Sequence, residues 1–284
     1  MFIYNLNKKI MKTILVPTDF SSNANNALKY ANAFAQATNN KIVLLHTHIP
    51  ILGNYNRIPG IVAEENERVK IESQKKLEKL CNKYVEGPSD YFVSVGDTIL
   101  DVPKKIKFNL IIMGTHGATG LSRILFGSNT SGVISKSTVP VLAIPQRYRF
   151  RKIETIVYAS DLKNTFNELK YIIPIAKQLD ATIEILNLNY EYGNTDDENQ
   201  VIERKIKSLS YKKIRFIEKE ATLARSIAEQ LKKYLVKHKP EILVMFPEEK
   251  SWFSKIFTSS KTEYLANQLK VPLLSIRKTI VQQK

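Results

Sequence analysis

The chain of 284 residues has a single cysteine, Cys81. That excludes an internal disulfide framework and a multi-cysteine metal site. It also has no long apolar run: stretches such as 13–16 and 42–45 are short, against the ~20 residues a membrane-spanning helix requires. The opening Met-Phe-Ile-Tyr-Asn-Leu-Asn-Lys-Lys-Ile lacks the apolar core of a secretory signal. The expectation is a cytoplasmic protein with residues 1–10 as an N-terminal extension. No Gly-x4-Gly-Lys-Ser/Thr loop occurs, so the familiar phosphate-clamping lysine is absent. Glycine is scarce in one half: of ten, nine precede residue 133 and only Gly193 follows.

Hydrophobic residues make up 43% of the chain, enough to build a core and too many for a mainly disordered protein. The length suggests two domains. The net charge is +16, but residues 11–146 hold 15 basic and 10 acidic residues and residues 147–284 hold 26 and 17. An excess spread over both halves argues against a polyanion-binding arm. Neither nucleic acid nor membrane is an expected partner.

The chain repeats itself. Lys12-Thr-Ile-Leu-Val-Pro-Thr-Asp19 matches Glu154-Thr-Ile-Val-Tyr-Ala-Ser-Asp161 at an offset of 142. Asn109–Met113 matches Glu241–Met245, and Val139–Ile144 matches Val271–Ile276, both at an offset of 132. Two copies of one domain are expected, at 11–146 and 152–278, with a short basic linker at 147–151 and a tail at 279–284. So short a join gives little slack, so the copies should pack against each other.

Within each copy, apolar runs of four to six residues alternate with amphipathic segments. Strands are expected at 13–17, 41–46, 91–95, 110–113 and 141–144, and again at 153–158, 182–187, 213–218, 241–246 and 271–276. Helices are expected from Ser21 or Ser22 to Thr38, from Glu64 to Tyr84, from Asp97 to Lys107 with a bend at Pro103, and from Ser128. Such alternation implies βαβ units and parallel sheets covered on both faces, with a ligand crevice beyond the carboxyl ends of the strands.

The fourth strand runs into Gly114-Thr-His-Gly117, then nine residues, then Gly127-Ser128 and a helix. Glycines let backbone approach a ligand closely. The unpaired amides and dipole of the following helix favour an anion. Ser128 and Thr130 can add hydroxyl donors. Asp19, at the same edge, could accept hydrogen bonds from a nucleoside or hold a metal on the phosphates. His116 lies within this loop. His46 and His48 are not read as a metal pair.

With these motifs the chain resembles the universal stress proteins, in their tandem two-domain form. Its Gly114, Gly117, Gly127 and Ser128 fit the Gly-x2-Gly-x9-Gly-Ser/Thr pattern of that family's ATP-binding subgroup. Val16-Pro-Thr-Asp-Phe-Ser21, Leu44-Leu-His46, Gly96-Asp97 and Val139-Pro-Val141 match as well. The resemblance implies an α/β chain of two tandem Rossmann-like domains. Each would have a five-stranded parallel sheet of order 3-2-1-4-5, helices on both faces, and pairing through strand five. It implies ATP, AMP or ADP in the first domain, with Mg or Mn as a candidate companion. Asp19 would lie at the nucleoside, Thr47 beside the adenine, and amides around Gly117, Gly127, Ser128 and Asn129 would hold phosphates. Pro17, Thr18, Met113, Gly114, His116 and Thr130 complete the nucleotide-binding set. The implied role is stress-response signalling by nucleotide binding with slow or no hydrolysis. A weak ATPase and a non-nucleotide scaffold stay open, as do a homodimer and an unidentified protein partner. Adenylating enzymes of the PP-loop type would instead carry Ser-Gly-Gly-x-Asp-Ser after the first strand, where this chain has Pro17-Thr-Asp-Phe-Ser.

The second copy lacks the glycines. Gly114, Gly117, Gly127 and Ser128 correspond to Phe246, Glu249, Ser259 and Ser260, while Asp161 survives opposite Asp19. Phe246 should add bulk where backbone would meet phosphate, and Glu248 and Glu249 should add like charge. Only the first copy is expected to bind nucleotide, the second being structural or regulatory. The cluster Trp252, Phe253, Ile256 and Phe257 is expected to fill the vacated cleft or the domain seam, with a docking patch as the alternative.

Overall fold

In the computed structural model the described residues are 12–50, 59–115, 128–190, 196–221, 226–247 and 270–282. The first half contains β1 (Thr13–Pro17), α1 (Ser22–Thr38), β2 (Lys41–His48), α2 (Pro59–Tyr84), β3 (Ser89–Val95), α3 (Val102–Lys105), β4 (Leu110–Gly114), α4 (Ser128–Lys136) and β5 (Val141–Ile144). The second contains β6 (Thr155–Ser160), α5 (Thr165–Leu179), β7 (Thr182–Tyr190), α6 (Asp196–Ser208), β8 (Ile214–Ala221), α7 (Ile227–His238), β9 (Ile242–Met245), β10 (Leu273–Ser275) and a short α8 (Lys278–Gln282).

The strands form one sheet of order β3-β2-β1-β4-β5-β10-β9-β6-β7-β8. Each half therefore has the expected 3-2-1-4-5 order. All pairings within a half are parallel; β5 and β10 join the halves antiparallel, with Ala143 opposite Leu273 and Val141 opposite Ser275. Register repeats as well. Ile111 faces Val141 in one half, and Leu243 faces Leu273 in the other, each pair shifted by the same 132 residues. Pairing through strand five covers the edge that each half would otherwise expose. The two remaining edges carry charge, Asp90 on β3 and Arg215, Glu218 and Lys219 on β8, which discourages further strand addition.

Alternation along the strands divides the core. Ile14, Val16, Ile42, Leu44, Tyr158 and Ile183 face helices α1, α2, α5 and α6; Leu15, Leu45, Ile111, Val157 and Leu243 face α3, α4 and α7. Burial on both faces explains why these strands are apolar runs without a polar stripe. The antiparallel seam keeps both faces in register, since Leu142 and Leu274 share one and Ala143 and Leu273 the other.

α1 begins where the capping residue predicts: the Ser21 hydroxyl accepts the Ala24 amide at 3.1 Å. α2 starts at Pro59, five residues before the expected Glu64, because proline suits a first helical turn whose amides lack partners. The helix expected over 97–107 is only Val102–Lys105. Pro103 opens it rather than bending it, since a ring without an N–H is tolerated at the start of a helix and not inside it. The preceding residues are held as a turn in which the Thr98 amide and hydroxyl donate to Asp101 at 3.1 and 2.6 Å. Gly96 enters that turn at φ +80°, a conformation that disfavours a side chain, and its amide donates to His48 O at 2.9 Å.

Candidate nucleotide site

Strand order places β1 beside β4, and their chains leave to opposite faces of the sheet, into α1 and toward α4. This is the switch point at which open α/β sheets leave a crevice beyond the strand ends. Pro17 and Thr18 are buried at the end of β1, and Asp19 is exposed just beyond it. The turn is locked locally. Thr18 N donates to Leu45 O at 2.8 Å, the Phe20 amide donates to Thr18 Oγ1 at 3.0 Å, and the Ser21 amide donates to Asp19 Oδ1 at 3.0 Å. Phe20 is held at φ +64°, where a bulky residue is strained.

His46 completes the clamp. Its Nδ1 lies 2.9 Å from Thr18 O, and its ring sits 4.5 Å from that of Phe20. A carbonyl only accepts, so Nδ1 carries the proton. His46 and His48, two residues apart, share one face of β2; His48 Nε2 is 3.3 Å from Asn66 Oδ1 on α2. Sequence reasoning set His46 aside, yet a signal existed in the repeat. In the second half the Asn187 amide donates to Ser160 O at 3.0 Å, the same carbonyl in the same turn.

On the other side of the crevice, Met113 is buried, and Gly114 is half-buried at the end of β4. The Thr130 hydroxyl donates to Gly114 O at 3.0 Å, which ties the first turn of α4 to the end of β4. Thr130 is buried, with its proton committed to that carbonyl. Ser128, Asn129 and Thr130 open α4, so their amides are among those a helix leaves without internal partners. The structure thus draws together both ends of the glycine motif, Gly114 and the α4 start. His116, Gly117 and Gly127 lie outside the described residues, as do the side chains of Ser128 and Asn129. Thr47 is half-buried near the end of β2, paired with Ser94 of β3. Asp97 follows close by, and hydrogen bonds from Lys105 and Ser94 hold its carboxyl below the usual range.

The second half repeats the turn and changes its surroundings. The Leu162 amide donates to Ser160 Oγ at 3.0 Å and the Lys163 amide to Asp161 Oδ1 at 3.1 Å, with Leu162 at φ +63°. Here, however, Lys278 reaches back from α8 and pairs with Asp161 Oδ2 at 3.0 Å, with Glu168 Oε1 4.0 Å away. Tyr158 donates to Glu168, and burial, then that charge, push its phenol well above its ordinary range. Phe246, expected as bulk at the strand end, instead turns into the core, where it is 1% exposed and meets Tyr158 edge to face at 5.5 Å. Its bulk therefore fills the space beneath α5. Glu248, Glu249, Ser259, Ser260 and the Trp252–Phe257 cluster lie outside the described residues.

Comparison with known proteins places this arrangement. Residues 11–145 match the model of the universal stress protein family. A universal stress protein of Methanocaldococcus jannaschii is 30% identical over 160 residues, covering 48% of this chain and 96% of that protein. The chain belongs to the universal stress protein family. Universal stress protein A homolog 1 of Coxiella burnetii is likewise 30% identical over 140 residues, 47% of this chain and 95% of that one. These relatives each match about half of this chain. Both halves find their fold in a universal stress protein structure from Archaeoglobus fulgidus, which covers 94% of this chain and 98% of its own at a TM-score of 0.69 and 19% identity. Among the described residues, no group of three or more His, Cys, Asp or Glu is placed to hold a metal, and no helix is long and apolar enough to cross a membrane.

Proposed function

We propose that the first half, residues 11–146, binds ATP, AMP or ADP at the crevice between β1 and β4, and that the second, residues 152–278, is a structural or regulatory partner. The observation that carries this is the tie between Thr130 and Gly114, which brings the α4 amides to the strand end opposite Asp19. Phosphates would lie against the start of α4 and the glycine loop, where backbone donors and helix dipole favour negative charge. Asp19, exposed at the end of β1, would accept from the nucleoside, and Thr47 would lie beside the base. Asp19 is also the candidate metal partner, should Mg or Mn accompany the phosphates.

Amides hold charge without moving a proton, and the clamping lysine of fast phosphoryl-transfer loops is absent from the sequence. Binding with slow or no hydrolysis, in a cytoplasmic stress-response role, fits this chemistry. The replacement of the loop glycines by Phe246, Glu249 and Ser259 supports one site per chain. Calorimetric titration with ATP should give about one site per chain, and mass spectrometry of freshly purified protein should find released nucleotide. Gly117→Asp should abolish binding in a folded protein. Two equal sites, or full affinity in Gly117→Asp, would refute the reading.

A further inference from the structure

A second concave surface lies away from the β1–β4 crevice. The join between the halves runs along the C-terminal end of α7 and encloses with it a groove of about 810 Å³. Arg147, Arg149, Arg151, Lys232, Lys239 and Lys270 line it, and no acidic residue does among those described. One of the six is neutralised: Arg151 pairs with Glu241 Oε1 at 3.1 Å and donates to Lys239 O at 2.7 Å, lacing the join to α7. That structural bond fixes the positions from which Arg147 and Arg149 project.

The residue type is informative. This chain uses lysine for most of its positive charge, yet three of its ten arginines fall within the five residues 147–151. A planar guanidinium grips a phosphate with two parallel hydrogen bonds, which an ammonium cannot do. Apart from Glu241 on Arg151, no described carboxylate pairs with this cluster, and like charges so gathered repel one another, a cost that an anionic ligand removes. The groove falls in the size range of small-ligand sites, roughly 300–1,000 Å³.

We propose that this groove binds a linear oligophosphate, gripped by Arg147 and Arg149 of the join together with Lys232, Lys239 and Lys270. The phosphate chain is that of a free oligophosphate, because one nucleotide per chain is already assigned to the crevice. The site is independent of the proposed nucleotide crevice.

Titration calorimetry of the full chain with inorganic tripolyphosphate tests it. Binding should persist in Gly117→Asp, which separates this site from the crevice. It should weaken by about a hundredfold in Arg147→Ala/Arg149→Ala, as each of the two lost charge-assisted contacts is worth roughly tenfold. Both arginines are exposed, so the variant should fold. Arg147→Lys/Arg149→Lys, which keeps the charge, should weaken binding by a smaller factor and serves if the alanine pair fails to fold. With Gly117→Asp as host, tripolyphosphate should bind more tightly than ATP; tighter binding of ATP would overturn the proposal. No binding, binding unaffected by the arginine substitutions, or loss in Gly117→Asp would overturn it. So would single-stranded oligonucleotides that bind more tightly than tripolyphosphate and gain affinity with length.

Discussion

Replacing Lys278 by Met tests how far its buried ion pair with Asp161 holds the second half together. The Lys278 side chain is 8% exposed, 3.0 Å from Asp161 and 4.0 Å from Glu168, whose side chains are 18% and 2% exposed. Methionine keeps most of the stem volume, so the packing cost is small, and the loss is mainly that of a buried cation. Breaking a buried pair by removing one partner costs about 3–5 kcal/mol. Asp161 keeps some access to water, which places the expected loss near the lower end, at about 3 kcal/mol. Adding Glu168→Gln removes the stranded carboxylate and keeps an oxygen to accept from Tyr158. The double variant should therefore recover about 2 kcal/mol, a coupling of the size expected for groups in contact. Urea unfolding at neutral pH measures both. Lys278→Met within about 0.5 kcal/mol of the parent, the range of an ordinary surface change, would refute the reasoning. So would a double variant no more stable than Lys278→Met alone.

Further outcomes follow from the same geometry. His46→Ala should destabilise the protein by about 1–2 kcal/mol by stripping a partner from the Thr18 carbonyl. His46→Asn should recover most of that, since Asn187 makes the equivalent contact in the second half; equal losses in thermal unfolding would contradict the clamp. Lys239 ends α7 at φ +48°, so Lys239→Gly should stabilise by roughly 0.5–1 kcal/mol in denaturant titration, and a loss would show that the side chain matters more than the backbone. Hydrogen bonds from Lys105 and Ser94 lower the Asp97 carboxyl, and those from Lys104 and Thr98 lower that of Asp101. A group depressed in the folded state contributes stability above its unfolded value and loses it as pH falls through the folded one, so this turn should loosen only in strong acid. Lys105→Met should return Asp97 toward an ordinary carboxylate value in an NMR titration; an unmoved midpoint would reject Lys105 as the cause.

The sequence by itself determined the repeat, the strand positions and the capping of α1. Those features are written locally: an apolar run of five, a serine before a helical stripe, a motif recurring at a fixed offset. It also marked the half that retained its glycines. Helix limits were less legible at α2 and α3, because Pro59 and Pro103 act at the start of a helix as readily as they break one.

Tertiary structure alone decided the rest. The antiparallel seam of β5 on β10 depends on two edges separated by more than 120 residues. The inward turn of Phe246 brings it against Tyr158, a contact between β6 and the residue that follows β9. The cation on Asp161 comes from Lys278, just past the last stretch the two halves share, Val271–Ile276. The clamp of His46 on Thr18 joins two strand ends. A residue's type states what it can bond to. Its partner across the sheet is fixed only when burial and register bring the two together, and in this chain those partners separate the proposed nucleotide half from its paired copy.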